Sequence, residues 1–204
     1  MMIIEEFGPQ VASVWNHLRM ATRNLVEKAW QSSGASAAAR ISQAAPYDPR
    51  ADQELTQLLS ALDDSVGQAD KSNQEAAKRA QRLADACADL LSQQTQSAEV
   101  FARLIERAHR RKDYKQVDAL AALLPERLAP SELCDLARAN NVIVRALAHE
   151  ALTQMPTKIL AALLRDPVDS VVARQALERQ AYEFGSADAQ RILREFDEFG
   201  IDEF

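Results

Sequence analysis

The chain has 204 residues, a formal net charge of −6 and a hydrophobic fraction of 47%, so it can bury a core and is too apolar for a disordered protein. It contains only five glycines. Because phosphate loops, nucleophile elbows and dinucleotide-binding turns need glycine, the composition disfavours α/β enzyme folds and predicts helices joined by short polar breaks. The acidity argues against a surface devoted wholly to nucleic acid or anionic lipid, but it leaves room for local basic patches.

The beginning of the chain does not resemble a secretion signal. The stretch MMIIEEFGPQ places acidic residues where a signal peptide carries basic ones. No apolar stretch approaches the roughly 18 residues that a membrane span needs. Cys87 and Cys134 lie inside helical patterns and form no paired motif, which is typical of a reducing compartment. We therefore expect a cytoplasmic protein that does not bind membranes.

The first predicted element is an amphipathic helix over residues 10–30, within an N-terminal region of residues 1–31. Its apolar residues recur at helical spacing, and its basic residues lie mostly elsewhere. The helix contains both tryptophans of the chain, Trp15 and Trp30. Because large amphipathic rings are common at protein interfaces, we take these two residues as candidate partner contacts.

A change of composition follows over residues 32–49. The stretch SSGASAAARISQAAPYDP consists mostly of Ala, Ser, Gly and Pro. Such a stretch has too few large apolar groups to pack tightly, so it predicts a linker or a loosely held segment. The first helix could then detach from the rest.

Residues 50–112 are predicted to form a helical hairpin region. Leucines at helical spacing form a stripe that stops near Gly67, and Ser72 to Glu75 have the pattern of a capping box. A 3.5-residue spacing then continues to Ala108, which is compatible with one coiled-coil rod. The polar stretch QQTQS favours the alternative of two antiparallel helices, with Thr95 or Ser97 capping the second.

From residue 113 to 199 the predicted helices become short and their breaks recur regularly. One helix is opened by Ser131 and ends at the NN dipeptide of residues 140–141, after which a second helix follows. The next segment repeats this plan with its break at the DP dipeptide of residues 166–167. The offset between the two copies aligns Val144 with Val172, so the sequence contains a degenerate internal repeat.

The residues at the second break predict how the helix after it begins. Asp166 is expected to cap this helix, because a carboxylate can accept hydrogen bonds from the amides of the first turn. Pro167 is expected at the first helical position, where its missing amide proton is not needed. Asp169 would then lie in the first turn, where the helix dipole favours an acid.

These residues carry a resemblance to the HEAT repeat family. LLRDPVDSVVARQAL is similar to the turn and second helix of such a repeat, and VIVRALAHEAL carries Val144, Arg145 and Ala148 in the same arrangement, whereas the second copy has Ala173 in place of the arginine. The resemblance covers residues 130–183 and extends to a third pair if 97–124 belongs. It implies an all-α fold without β-sheet, in which helix pairs stack into a right-handed α-solenoid. The open surface of such a solenoid would bind protein partners.

A basic cluster interrupts the acidic chain at residues 103–115, which contain six Lys or Arg and two acids. At a predicted helix end these cations complement the helix dipole, which is a purely structural interpretation. The functional alternative is a contact with nucleic-acid phosphates or an acidic partner, with Tyr114 nearby to stack. Its candidate residues are Arg107, Arg110, Arg111 and Lys112.

The chain ends on an acidic, aromatic tail of residues 200–204. A capping helix is predicted before it, in which Phe196 and Phe199 share a face, and Gly200 would end that helix. The tail itself would carry Phe204 with its terminal carboxylate. The three interpretations are a packed cap, a segment that docks on a partner and a disordered end, and under the second all three phenylalanines are candidate partner contacts.

The sequence predicts no metal site, no cofactor and no catalytic set. His17, His109 and His149 lack a second histidine or cysteine at helical spacing, and no serine lies in a nucleophile turn. Our leading hypothesis is a non-enzymatic adaptor that binds other proteins. The alternatives are a subunit of a nucleoprotein complex that touches phosphates through the basic cluster and, by the HEAT-like resemblance, a DNA glycosylase. The sequence leaves self-association open.

Overall fold

The chain is all-helical in the computed structural model, which describes residues 4–32, 47–68 and 74–199 and contains no strand within these ranges. Most of the predicted linker, the serine of the predicted capping box and the tail with Phe204 lie outside the described residues. No described helix combines the length and apolarity needed to cross a bilayer.

Two compact units divide the chain between Gln96 and Ser97. The N-terminal unit has a short 3-10 helix, Ile4–Phe7, followed by α1 to α4, and the C-terminal unit has α5 to α11. The bounds are α1 Pro9–His17, α2 Met20–Ser32, α3 Pro49–Gln68, α4 Gln74–Gln94, α5 Ala98–Arg110, α6 Tyr114–Arg127, α7 Pro130–Ala137, α8 Val142–Thr153, α9 Thr157–Leu163, α10 Ser170–Tyr182 and α11 Ala187–Phe199.

The core of the N-terminal unit lies between the long helices α3 and α4, which make its most extensive contact. Their antiparallel course is seen from two polar contacts that place the end of α3 next to the start of α4. Ser65, near the end of α3, donates to the carbonyl of Phe7, and Arg79, near the start of α4, pairs with the neighbouring Glu6. The predicted leucine stripe supplies the α3 side of the core. Its buried members are Leu55, Leu58, Leu59 and Leu62, and the buried residues of α4 include Leu83, Cys87, Leu90 and Leu91.

The single helix predicted over residues 10–30 is two helices, because α1 ends at His17 and Leu18 is extended. Nothing in the local sequence breaks the helix, since neither glycine nor proline occurs at the junction. The break coincides with a distant contact, in which the Arg19 guanidinium lies 2.8 Å from both Asp48 and Glu54. Tertiary ion pairs therefore accompany a turn that amphipathic spacing does not reveal.

The C-terminal unit begins with the break predicted near residue 95. α4 ends at Gln94, and Ser97 caps α5 by accepting a hydrogen bond from the amide of Val100 at 3.5 Å. The alternative of one continuous rod is therefore wrong. Phe101, Leu104 and Ile105 form the buried face of α5. Beyond it, α6 is capped by Asp113, whose side chain accepts from the amide of Gln116.

Two further helix pairs repeat at the predicted interval. The first helices of these pairs, α7 and α9, begin at Pro130 and Thr157, and the second helices, α8 and α10, begin at Val142 and Ser170. Equivalent positions are buried alike. Residues 144 and 148 of α8 are apolar and buried, and so are residues 172 and 176, which occupy the corresponding positions of α10. Ala173, which replaces the expected arginine, is fully buried. The substitution therefore matches an environment that could not solvate a guanidinium group.

Helices of successive pairs contact one another in a regular order. The first helices make the contacts α5 with α7, α7 with α9 and α9 with α11. The second helices make the contacts α6 with α8 and α8 with α10. Each pair also packs within itself, so a helix is covered both by its own partner and by a neighbouring pair.

Gln180 joins three helices at one end of these pairs. It is only 8% exposed, and its Nε2 donates to the carbonyls of Thr153 at 2.8 Å and Met155 at 2.7 Å. Its Oε1 accepts from the hydroxyl of Thr157 at 3.1 Å. Carbonyls at the end of α8 lack partners within their helix, so this side chain satisfies groups that would otherwise be buried without hydrogen bonds.

The start of α7 differs from the sequence prediction. α7 begins at Pro130 and not at Ser131, because Glu132 accepts a hydrogen bond from the amide of Ala129 at 2.8 Å and satisfies the first exposed donor.

Before α10, Asp166 closes a turn and does not cap the helix directly. Its Oδ1 accepts from the amides of Val168 at 2.8 Å and Asp169 at 3.2 Å, and α10 begins only at Ser170. Pro167 accordingly lies in the turn and not at the first helical position. Asp169 is buried and bound by a distant arginine, which favours the later start.

Candidate functional site

A shallow groove lies between α8 and α10, the second helices of two successive pairs, with a volume of about 700 Å³. Its aromatic member is Tyr182, which is 79% accessible at the end of α10, and Phe184, two residues beyond it, is 64% accessible. Exposed aromatic rings beside a concave surface are typical of contact sites. The groove is lined by Ala146, His149, Glu150, Gln175, Glu178, Arg179, Tyr182 and Glu183.

The groove lining carries an excess of acid, because its charged residues are Glu150, Glu178 and Glu183 with Arg179 as the one arginine. Arg179 lies 3.5 Å from Glu150 and 3.2 Å from Glu183. Next to it, Arg174 lies 3.0 Å from Glu178 and 2.8 Å from Asp197 of α11. Each of these two arginines is thus shared by two carboxylates, so each group of ion pairs keeps one uncompensated negative charge.

His149 adds an uncharged donor and acceptor to the groove wall. Desolvation lowers the pKa of this histidine, and the nearby positive charges of Arg179 and Arg145 lower it further. The imidazole is therefore neutral at pH 7. At a pH below this pKa, the protonated imidazole would add a third positive charge to those of Arg179 and Arg145 and would make the groove less acidic.

The predicted basic cluster lies at the turn from α5 to α6. Arg110, Arg111 and Lys112 are exposed there, and Lys115 joins them from the first turn of α6. Arg107, the fourth predicted residue, is only 8% exposed, so the structure separates it from the others. It lies on the buried face of α5 with its apolar neighbours, although its charge suggested a surface position.

Tyr114 is the aromatic residue of this cluster. It is 59% exposed, and its ring meets the ring of His109 edge to face, with centroids 6.3 Å apart. The proximity of Tyr114 to the cations was predicted, whereas the pairing with His109 depends on the geometry of the turn and was not.

The two tryptophans are half-buried in the N-terminal unit. The guanidinium of Arg82 lies 5.6 Å from the ring centre of Trp30, within the range of a cation–π contact. Trp15 belongs to α1 and Trp30 to α2, on opposite sides of the break at Leu18. Neither ring is fully exposed, and the contact of Trp30 lies within its own unit.

The predicted capping helix corresponds to α11, which reaches Phe199, the last described residue. Leu193 is buried and Phe196 is half-buried, so the inward face of this helix carries apolar residues. The side chain of Phe199 and the whole of Phe204 lie outside the described residues.

The residues considered for metal binding or nucleophilic chemistry are dispersed. Within the described ranges, no group of three or more His, Cys, Asp or Glu is close enough to hold a metal ion. Cys87 and Cys134 are buried free thiols. Desolvation, followed by the charge of Asp169, raises the pKa of Cys134 to about 11, which keeps this thiol protonated at neutral pH.

Comparison with known proteins gives no family, because the chain matches no protein-family model, no curated protein and no solved structure. The packing of the described helices is compatible with a helical repeat, and no family match accompanies the HEAT-like resemblance.

Proposed function

We propose that the C-terminal unit is a non-enzymatic protein-interaction scaffold, an α-solenoid of short HEAT-like helix pairs that binds a partner in the groove between α8 and α10. The order of helix contacts supports the solenoid, since first helices pack on first helices and second helices on second helices. The observation that carries the binding function is the groove itself, with an exposed Tyr182 beside an excess of carboxylates.

The chemistry of the groove selects the kind of partner. Two uncompensated negative charges attract lysine or arginine, and an exposed phenol ring offers an apolar face that can also accept a cation. The partner is therefore a protein segment that combines basic and apolar side chains. Glu150 and Glu183 would contact its cations, and Tyr182 its apolar group.

The proposal can be tested by selecting peptides from a random displayed library on the full-length protein. We expect the selected peptides to combine Lys or Arg with an apolar residue. Tyr182→Ala should weaken their binding about tenfold, as loss of an aromatic interface anchor does. Glu150→Gln combined with Glu183→Gln should weaken binding at low salt more than at high salt.

Tyr114→Ala is the matched control, because it removes another exposed tyrosine of the same unit that lies outside the groove. The selected peptides should bind this variant with unchanged affinity. Peptides that lack basic residues, or that bind the Tyr182→Ala protein as tightly as the unaltered protein, would refute the groove as the binding site. Lower affinity at a pH below the pKa of His149 would add support, because protonation opposes a basic partner.

A further inference from the structure

We propose that the basic turn between α5 and α6 binds single-stranded nucleic acid, contacting its phosphates with cations and one base with Tyr114. The site comprises Arg110, Arg111, Lys112, Tyr114 and Lys115. It shares no residue with the groove between α8 and α10, so this proposal does not depend on the proposed function.

Three cations of this turn are available for a ligand. Arg110, Lys112 and Lys115 are exposed, and none of them forms an ion pair with any described acidic residue. Asp113, the one acid between them, uses its Oδ1 to accept from the amide of Gln116 at 3.1 Å and caps α6. Its charge is therefore directed at the helix N-terminus, where it is favourable.

Stabilisation of the helix dipole does not account for this set of residues. Arg110 lies at the end of α5, where a cation is favourable. Lys115 lies in the first turn of α6, where the dipole repels a cation. The dipole therefore accounts for only one side of the turn, whereas a bound anion would account for the basic residues on both sides.

Lys112 also occupies a conformation that glycine would adopt more easily. Its φ is 59°, in the left-handed region, at the position where α5 ends. The amide of Lys112 donates to the carbonyl of His109, and that of Asp113 to the carbonyl of Ala108, both at 2.9 Å. Helix ends of this kind favour glycine, so a lysine here keeps a cation at the expense of stability.

The exposed aromatic pair distinguishes nucleic acid from an acidic polypeptide. Tyr114 is 59% exposed and its ring is held edge to face against His109 among the cations. A fixed ring with a free face can stack on a base, and single-stranded nucleic acid combines exposed bases with closely spaced phosphates. An acidic polypeptide offers the charge but has no base to stack.

The test is fluorescence anisotropy of the full chain with a labelled thymidine oligonucleotide. We expect binding at low salt, with an affinity that falls with increasing salt by a log–log slope of about −2 to −3 for three or four phosphate contacts. The variant Arg110→Ala/Lys112→Gly/Lys115→Ala should bind at least about tenfold more weakly and flatten that slope by about 2. Tyr114→Ala should weaken binding about tenfold without changing the slope.

Lys112→Gly alone separates binding from folding. It should raise the midpoint of thermal unfolding, because it relieves the left-handed conformation, and at the same time lower the affinity for the oligonucleotide. The matched control is Lys158→Ala/Arg165→Ala, which removes two exposed cations elsewhere in the C-terminal unit and should leave affinity unchanged.

Three results would overturn the proposal. The first is no binding of the unaltered protein at about 50 mM salt, where phosphate contacts are strongest. The second is equal loss of affinity in the control variant. The third is displacement of the oligonucleotide by poly-glutamate as readily as by unlabelled oligonucleotide, which would assign the turn to an acidic polypeptide. Groove variants such as Tyr182→Ala should bind the oligonucleotide normally, so failure of either proposal is distinguishable from failure of the other.

Discussion

Arginine holds distant acids together in both units, but the two networks differ in burial. In the N-terminal unit, Arg19 binds Asp48 and Glu54, and the Asp48 side chain is 43% exposed. In the C-terminal unit, Arg138 donates to Asp169, whose side chain is only 6% exposed, and to the carbonyl of Val168. Breaking an arginine–carboxylate pair therefore costs little stability where water can replace the arginine. It costs much more where the carboxylate would remain buried without a partner.

The ion pairs of Arg19 and Arg138 also differ in the parts of the fold that they connect. Arg19 follows the break between α1 and α2 and connects it with α3 and the residues before it. Arg138 ends α7 and reaches the turn before α10, so it ties one helix pair to the next. Three variants test this comparison.

The largest effect is expected for Arg138→Ala. It should lower the free energy of unfolding by about 2 kcal/mol, less than for a fully buried pair because a third of the arginine side chain is in solvent. Urea titration followed by circular dichroism measures it. Adding Asp169→Asn should restore part of the loss, since an amide is less costly to bury than an unpaired carboxylate. A double variant as unstable as the single one would show that the buried charge is not the cause.

A smaller effect is expected for Arg19→Ala, because both partners of this arginine reach water. The loss of stability should be clearly below that of Arg138→Ala and should diminish as salt is added. Hydrogen exchange should show faster opening of amides around residues 18–22, where the helix break lies. An effect equal to that of Arg138→Ala would show that exposure does not separate the two networks.

The smallest effect is expected for Asp52→Asn in the N-terminal unit. Desolvation raises the pKa of Asp52, although the hydroxyls of Thr95 and Tyr47 donate to it and oppose the shift. It is 2% exposed and its Oδ1 has no hydrogen-bond partner. The amide variant should therefore be more stable than the unaltered protein at pH 7, by no more than about 1 kcal/mol.

The sign of the pH dependence follows from the raised pKa. Ionised Asp52 opposes folding above its folded-state pKa, and this cost disappears as pH falls towards the unfolded-state value near 4. The advantage of Asp52→Asn in urea titrations should shrink over that interval. Asp64→Asn, an exposed change on the same helix, should show no such trend. A constant difference between pH 7 and pH 4.5 would mean that Asp52 is not destabilising when ionised.

Much of the candidate binding surface was not predictable from local sequence. The basic cluster was visible as a run of charge, yet its fourth member, Arg107, is buried while Lys115 completes the exposed set. The groove depends on His149 and Tyr182, which are distant in sequence and meet only because α8 packs on α10. No spacing within one helix signals such a site, because its two walls belong to different repeats.

By itself, the amino-acid sequence determined that the described chain is helical, that a helix ends before Ser97, and that two helix pairs recur at a regular interval. These features depend on apolar periodicity, caps and scarce glycine, which act over short stretches of chain. Tertiary structure alone decided the break at Leu18, the burial of Arg107 and the late start of α10. In each case a side chain is positioned by packing or by charges distant in the chain, and local patterns carry no information about such partners.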